Sequence, residues 1–512
     1  MTFKKTGLEV CHFVSISSLT WCQALKFTRA EVDIISDPDM YQMFEMQKRG
    51  GLACIMQRYS EANVPGTSTY DPEKPEKHIQ IYDVNALYSN EMCKKLPYKN
   101  YRWVALEELA NVDWSQVNEN DDEMYAVKVD LDYPHELHKS HDEWPCAVEK
   151  ATVPKEWLSP YQQRIADRLP KGQLKEPKLI AHLGPRKEYV VHGAVLALFL
   201  KLGLRVTRFH CGVKFELKAW LKPYIEDLMR ERQRTNLKFE QKAFKQFSNS
   251  TYGYLLRNPR FDRQVEIVRT PARIKKVVAK PTFKSFTIFE ENIVAVEKAP
   301  ATIKLMQCVS AGVSVLDTSR KTMMELYWVL KGQFGDRMKT LFTDTDSVGV
   351  EIESPDIVGE MRKLEHILDT SGLLPTHPLY STQFARVQGR LKLEYGEMNI
   401  LQFAAVRAKC YAVEIESQDK NIRNIYKCKG VKSVALKQSI TFEDYKKCIF
   451  DDVTKLVAFH SLRSDGAHNV YTYHQEKTAL RNFDNKRWIL DDGYRTRAFR
   501  ISAPPIDTAR TS

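Results

Sequence analysis

Apolar and polar positions change period several times along the chain. Ile79 to Asp83 alternates as a short strand does, and Leu87 to Leu96 then takes the spacing of a helix. From Leu217 to Leu256 the pattern is helical with interruptions, carrying Phe239, Phe244, Phe247 and Leu255 among basic residues. Lys339 to Ile352 (KTLFTDTDSVGVEI) predicts strand, acidic turn, strand, because β-branched and apolar residues flank a polar hinge. Polar, Pro-rich breaks fall at Asn63 to Lys77, at Lys171 to Arg186 and in the tail after Asp491. No internal repeat interrupts this order. The fold class is mixed α+β, and periodicity carries topology no further.

Composition narrows the classes. The 512 residues are 43% hydrophobic and 28% charged, enough for a large core and too apolar for wholesale disorder. Lys plus Arg exceeds Asp plus Glu by 77 to 65, a net +12, and the pI is near 9.0. That excess fits a polyanion partner, though membrane-surface proteins and many ordinary enzymes are equally basic. The most apolar stretch, Gly193 to Leu200, ends at Lys201, far short of the roughly 20 residues of a membrane span. The first residues, MTFKKTGLEVCHF, hold no continuous apolar core of a secretory signal. Ten scattered cysteines form no CxxC pair, so free thiols in an intracellular chain are expected.

Three carboxylates sit where strands end. Asp83 closes an extended run, and Asp344 and Asp346 flank the bend of the predicted hairpin. Carboxylates at strand ends suit two hard divalent cations about 4 Å apart, one activating a hydroxyl and one neutralising leaving phosphates. Seen alone, an Asp-Thr-Asp is more often a solvated turn. A second set changes that balance. Lys245, Asn249 and Tyr252 stand at i, i+4 and i+7 of a helical segment, so they share one face. Lys238 and Arg234 would extend the stripe if the helix ran unbroken. Cations ending in an aromatic ring suit a nucleoside triphosphate; a solvated basic helix face is the competing reading.

These segments resemble the motifs of family B DNA polymerases. DVNALYS (Asp83 to Ser89) is similar to motif A, KQFSNSTYG (Lys245 to Gly253) to motif B and FTDTDS (Phe342 to Ser347) to motif C. RAKCY (Arg407 to Tyr411) resembles the Lys-x-Tyr motif, and KRGG (Lys48 to Gly51) the Tyr/Arg-Gly-Gly linker motif of the protein-primed branch. The long intervals from A to B and from B to C look like the two insertions of that branch, as in polymerases of self-synthesising transposons, viruses and organellar plasmids. The resemblance implies a right hand with an antiparallel palm sheet, helical fingers and a thumb. It implies Asp83, the Val84 carbonyl and Asp346 as ligands of two Mg²⁺ ions, with Asp344 completing the catalytic set. Tyr88 would stack under the sugar and exclude a 2′-hydroxyl. Arg234 or a neighbour, with Lys245, would grip the triphosphate, and Asn249 and Tyr252 would line the nascent base pair. Lys409 and Tyr411 would hold the primer terminus, and Arg49, Gly50 and Gly51 would meet DNA. The partners implied are template and primer DNA, dNTPs and a terminal priming protein, with no membrane.

Residue ranges follow from the motifs. Residues 1–66 form a linker region ahead of the palm, 67–215 a palm part with the first insertion, and 216–257 the fingers. The second insertion takes 258–300, the palm resumes over 301–415, and 416–512 make thumb and tail. Departures from the family pattern are Ala86 for a serine, Tyr254 for a lysine and Phe342 for a tyrosine; none removes a metal ligand. No 3′–5′ exonuclease is expected: the one Asp-x-Glu ahead of motif A, Asp71-Pro72-Glu73, lies in a Pro-rich loop. The runner-up reading is a catalytically impaired relic that still binds nucleic acid; a metal nuclease has no use for Lys245, Asn249 and Tyr252. His135, His138 and His141 are expected to be structural. The basic run Lys420 to Lys437 and the group Arg273, Lys275, Lys276, Lys280 and Lys284 are candidate contacts to nucleic acid or terminal protein. Intracellular placement follows, without separating nucleus, viral factory and organelle.

Overall fold

Mainly antiparallel pairing gathers segments from across the sequence into one ten-stranded sheet. Seen in a computed structural model, the structure describes residues 5–169, 172–465 and 469–500; Lys171 and 501–512, both within predicted breaks, lie outside them. Its strands include β1 (Ala53–Ile55), β2 (Lys77–Val84), β3 (Met338–Asp344), β4 (Ser347–Glu353), β5 (Leu391–Leu393), β6 (Asn399–Arg407), β7 (Cys410–Glu416) and β8 (Ile422–Cys428). They are ordered β1-β3-β4-β2-β6-β7-β8, with β5 on the same edge of β2 as β6. The central strands bury side chains on both faces of the sheet. In β2, Ile79 and Ile81 enter one core with Phe342 and Phe403. Tyr82 and Val84 enter the opposite core with Val348, Val350 and Leu391.

The predicted acidic hairpin is present, with Thr345 and Asp346 as its turn between β3 and β4. Motif B lies on a helix, but not an unbroken one. Lys222–Arg234 (α3 below) and Lys238–Leu255 (α4) flank an extended Thr235 and Leu237. The Thr235 hydroxyl accepts from the Leu237 N–H at 3.2 Å and its carbonyl from the Gln241 side chain at 2.9 Å. Such local bonds compete with the helix ladder and end it. Arg234 and Lys238 therefore stand on different helices and do not extend the Lys245 stripe.

Helices α1 (Ile16–Thr28), α2 (Leu87–Met92), α3, α4 and α5 (Val309–Phe334) pack beside the sheet. The predicted helix after motif A stops at Met92, because Leu96–Pro97 pairs as a strand with Leu217–Lys218. Within the stretch expected to be linker, α1 instead joins α3 and α4 in one core: Trp21 stacks on Tyr254 at 5.4 Å and meets Trp220 edge-on at 6.0 Å. Lys5 reaches Asp227 at 2.6 Å and Glu231 at 3.0 Å on α3. A five-stranded sheet built on Glu123–Asp132 and Arg205–Lys218, a three-stranded sheet over 264–298 and the hairpin Lys455–Ser464/Val470–Leu480 complete the architecture.

The secondary expectations resolve simply. All ten cysteines are free. His141 Nδ1 meets the Tyr133 hydroxyl at 2.7 Å and His138 Nε2 the Tyr133 carbonyl at 3.3 Å, while Glu9, Cys11 and His12 are the one metal-spaced group among the described residues. Asp71 sits in a loop, ion-paired with Lys74 at 2.9 Å. The basic run Lys420 to Lys437 spans β8 and a short helix, Ser433–Ser439. Among the described residues no helix is long and apolar enough to cross a membrane.

Candidate active site

Strand pairing builds the floor of the site. Asp83 lies opposite Ser347 across β2 and β4, and the Val84 N–H donates to the Asp346 carbonyl at 2.7 Å. Two carboxylates separated by more than 260 positions in sequence are thereby neighbours at one sheet edge. Proximity and burial act on both. Burial, Asp346 and Glu394 push the Asp83 carboxyl up to about 7 against the pull of Lys245 and Lys392. Burial also raises Asp346, with Asp344 adding to it and Lys245 and Lys409 opposing. Asp344 does not join the pair in a three-carboxylate cluster. Its carboxylate takes the Lys409 ammonium, whose residue adopts a left-handed backbone (φ 61°).

A cleft of about 810 Å³ opens over this floor. Asp83, Asp346 and Tyr88 line it together with Lys245, Asn249 and Tyr252 from α4. The two tyrosine rings meet at 4.6 Å with their planes inclined by 48°. A 2.8 Å bond between Ser89 and Ser248 hydroxyls ties α2 to α4 just below them. Ala86 starts α2 in the left-handed region (φ 47°), so the turn after β2 is held against local preference.

Gly51 fixes the acidic turn from the other side. A Cβ there would lie 2.5 Å from Thr345 Cγ2 and 3.0 Å from Thr345 Cα. The Thr345 N–H, at a left-handed residue (φ 70°), donates to the Leu52 carbonyl at 2.8 Å. The glycine's close approach is to protein backbone. Gly50 has open space around it, and its carbonyl accepts from Arg320 at 3.1 Å.

Two residues assigned from the motifs are placed elsewhere. Arg49 is buried, its guanidinium 3.7 Å over the Tyr189 ring and donating to the Val190 carbonyl at 2.8 Å, so it is not presented to DNA. Arg234 lies outside the cleft, 70% exposed and paired with Glu231 at 3.5 Å; its neighbour Arg232 lines the cleft instead. Tyr411 is buried against Phe342 and Phe403. Sequence reasoning missed Arg232, Arg386, Lys392 and Glu394, all in the cleft wall. Lys392 and Glu394 had a weak signal, a short alternating LKLE run; that Lys392 pairs with Asp83 is visible only in the sheet.

No family model matches the sequence, and neither does any curated protein. Solved structures do. Phi29 DNA polymerase complexed with primer–template DNA aligns with a TM-score of 0.54 at 15% identity, over 93% of this chain and 69% of that one. The same polymerase with primer–template DNA and incoming nucleotide gives 0.54 at 14% identity over the same shares, and its complex with single-stranded DNA gives 0.51. The chain has a DNA polymerase fold. The likeness runs through nearly all of the chain, so the motif order and the backbone arrangement point the same way.

Two outcomes test the geometry of this polymerase-fold site. Gly51→Ala forces Thr345 to move and is expected to cost about 1–3 kcal/mol, as overpacking does; Gly50→Ala should stay within about 0.5 kcal/mol, as open surface positions do. Chemical denaturation of both variants measures the difference. Asp83 supplies the second. An unfolded aspartate titrates near 3.9 and folded Asp83 near 7, so its ionisation opposes folding progressively from about pH 4 to 7 and fully above. In chelator, Asp83→Asn should melt above the wild type at pH 8, with the gap closing by pH 5; calorimetry at the two pH values checks it.

Proposed function

We propose that this chain is a template-directed DNA polymerase that extends a 3′ hydroxyl with dNTPs by a two-metal mechanism, in protein-primed replication of a mobile element or viral genome. The observation that carries the reading is one cleft in which Asp83 and Asp346 face Lys245, Asn249 and Tyr252. A right hand follows: β2 to β7 as palm, α3 and α4 as fingers, and the hairpin Lys455–Ser464/Val470–Leu480 as part of the thumb. The residue ranges read from the motifs are kept as proposed divisions, with α1 added to the fingers.

The donor set fits Mg²⁺. Two buried carboxylates whose charged forms are disfavoured by burial and by neighbouring carboxylates are short of positive charge, and Mg²⁺ is commonly held by one or two carboxylates with substrate phosphates supplying the rest. Asp83, the Val84 carbonyl and Asp346 would hold it. When bound, the metal pair would activate the primer hydroxyl and neutralise charge on the leaving phosphates. The chain's own residues do the remainder. Lys245 and Arg232 place cations along the triphosphate. Tyr88, packed on Tyr252, sets the floor under the sugar, where a 2′-hydroxyl would collide. Asn249 stands one turn above Lys245 on the same face, within the base-pair space. Lys409 neutralises Asp344 until a primer phosphate competes for its ammonium. A terminal protein would offer the first hydroxyl to this same centre.

Extension of a singly primed circular template tests the reading. Asp346→Ala is expected to lower incorporation by at least about a hundredfold, since it deletes one of the two carboxylates proposed to hold the metal pair. DNA binding without any incorporation by the wild type would instead fit the impaired relic. Tyr88→Val should admit ribonucleotides, read as the ratio of rNTP to dNTP kcat/KM; an unchanged ratio would remove Tyr88 from the sugar.

A further inference from the structure

Arg386 lines the cleft from a loop that belongs to none of the recognised motifs. Its backbone is left-handed (φ 58°), unfavourable for a long side chain. A buried carboxylate holds it there. Asp369, 3% exposed, accepts from the Arg386 N–H at 2.8 Å and from the Asn85 side chain at 2.6 Å. Asn85 also exchanges backbone bonds with the same loop: its N–H donates to the Arg390 carbonyl and its carbonyl accepts from Gly389, both at 2.9 Å. The loop is thus stapled to the residue two beyond Asp83.

The neighbouring Arg390 is used structurally, stacked 4.3 Å over Phe384 and bonded to the His366 carbonyl. Arg386 has no such engagement. Among the described residues neither its side chain nor that of Arg232 has an ion-pair partner, and the Arg386 charge, after burial, holds Arg232 below its ordinary value. Two guanidinium groups sharing an unpaired cleft repel each other. A multivalent anion between them reverses the sign, because each planar fork can make paired charge-assisted bonds to phosphate oxygens. Lys245 in the same cleft adds a third cation.

Resting on the polymerase reading, we propose that Arg386 binds the terminal phosphates of the incoming nucleotide, reaching them from its stapled loop while Arg232 reaches them from α3. The triphosphate then bridges two chain segments, α3 and the loop after residue 380, that otherwise repel. Asp369 is a positioning residue, acting through the Arg386 backbone.

Full-length Arg386→Ala and Arg386→Lys test this by dNTP titration on primed template, by primer–template affinity, and by calorimetric binding of inorganic tripolyphosphate. Losing a charged hydrogen-bond donor should raise the dNTP KM and weaken tripolyphosphate about tenfold or more, with kcat changing far less and Arg386→Lys recovering part of the loss. Unchanged KM and tripolyphosphate affinity would overturn the proposal. So would a defect confined to primer–template affinity, which would mark a DNA-backbone contact, or a fall in kcat that tracks a lowered melting temperature. Should the wild type incorporate nothing yet bind tripolyphosphate through Arg386, the polymerase reading fails and the triphosphate site stands.

Discussion

The register between β2 and β4 is the constraint on which the rest of the molecule depends. Asp83 pairs with Ser347, and the Val84 N–H closes on the Asp346 carbonyl. A slip of one residue would send Asp83 to the opposite face and bring Val84 or Tyr82 into the cleft. Burial on both sides of the sheet prevents it. Ile79 and Ile81 belong to one core and Tyr82 and Val84 to the other, so a shift exchanges every contact at once. The packing energy of two cores therefore maintains an arrangement of acids that electrostatics alone would disperse.

That electrostatic opposition organises the surroundings. Burial and neighbouring carboxylates disfavour the charge of Asp83 and Asp346, and the cleft answers with Lys245, Lys392, Arg232 and Arg386 on separate segments. Asp344 adds to the push on Asp346, and the Lys409 ammonium, bonded to the Asp344 carboxylate, opposes it. The turn carrying Asp344 and Asp346 is not free to relax. Gly51 presses on Thr345 from below, Leu52 accepts its N–H, and Arg320 holds the Gly50 and Arg49 carbonyls while its own guanidinium rests on buried Asp317. The Gly-Gly segment thus acts as a wedge against the acidic turn. Arg49 beside it is buried, stacked on Tyr189 and bonded to the Val190 carbonyl.

What was legible in the sequence was whatever depends on near neighbours. The acidic hairpin is written in fourteen consecutive residues, and the Lys245–Asn249–Tyr252 face in one helix repeat, so both could be read without a fold. Arg234 failed because a hydroxyl at Thr235 breaks the helix, a local bond weaker as a signal than the basic periodicity around it. Arg386 carries no local signature, and Glu394 only the short LKLE alternation. Neither is marked for the cleft by its sequence neighbours: strand pairing brings Glu394 there, and bonds to Asp369 and Asn85 hold the Arg386 loop beside it.

The sequence by itself determined the basic composition, and also the strand–turn–strand carrying Asp344 and Asp346 and the shared face of motif B, because the last two arise from side-chain periodicity within a few turns of chain. The tertiary structure decided which carboxylates become neighbours, that Arg49 is spent on Tyr189, that α1 joins α3 and α4, and which cations face the paired acids. Such relations depend on strand register and on cores assembled from distant segments. Periodicity within a single segment holds no information about either.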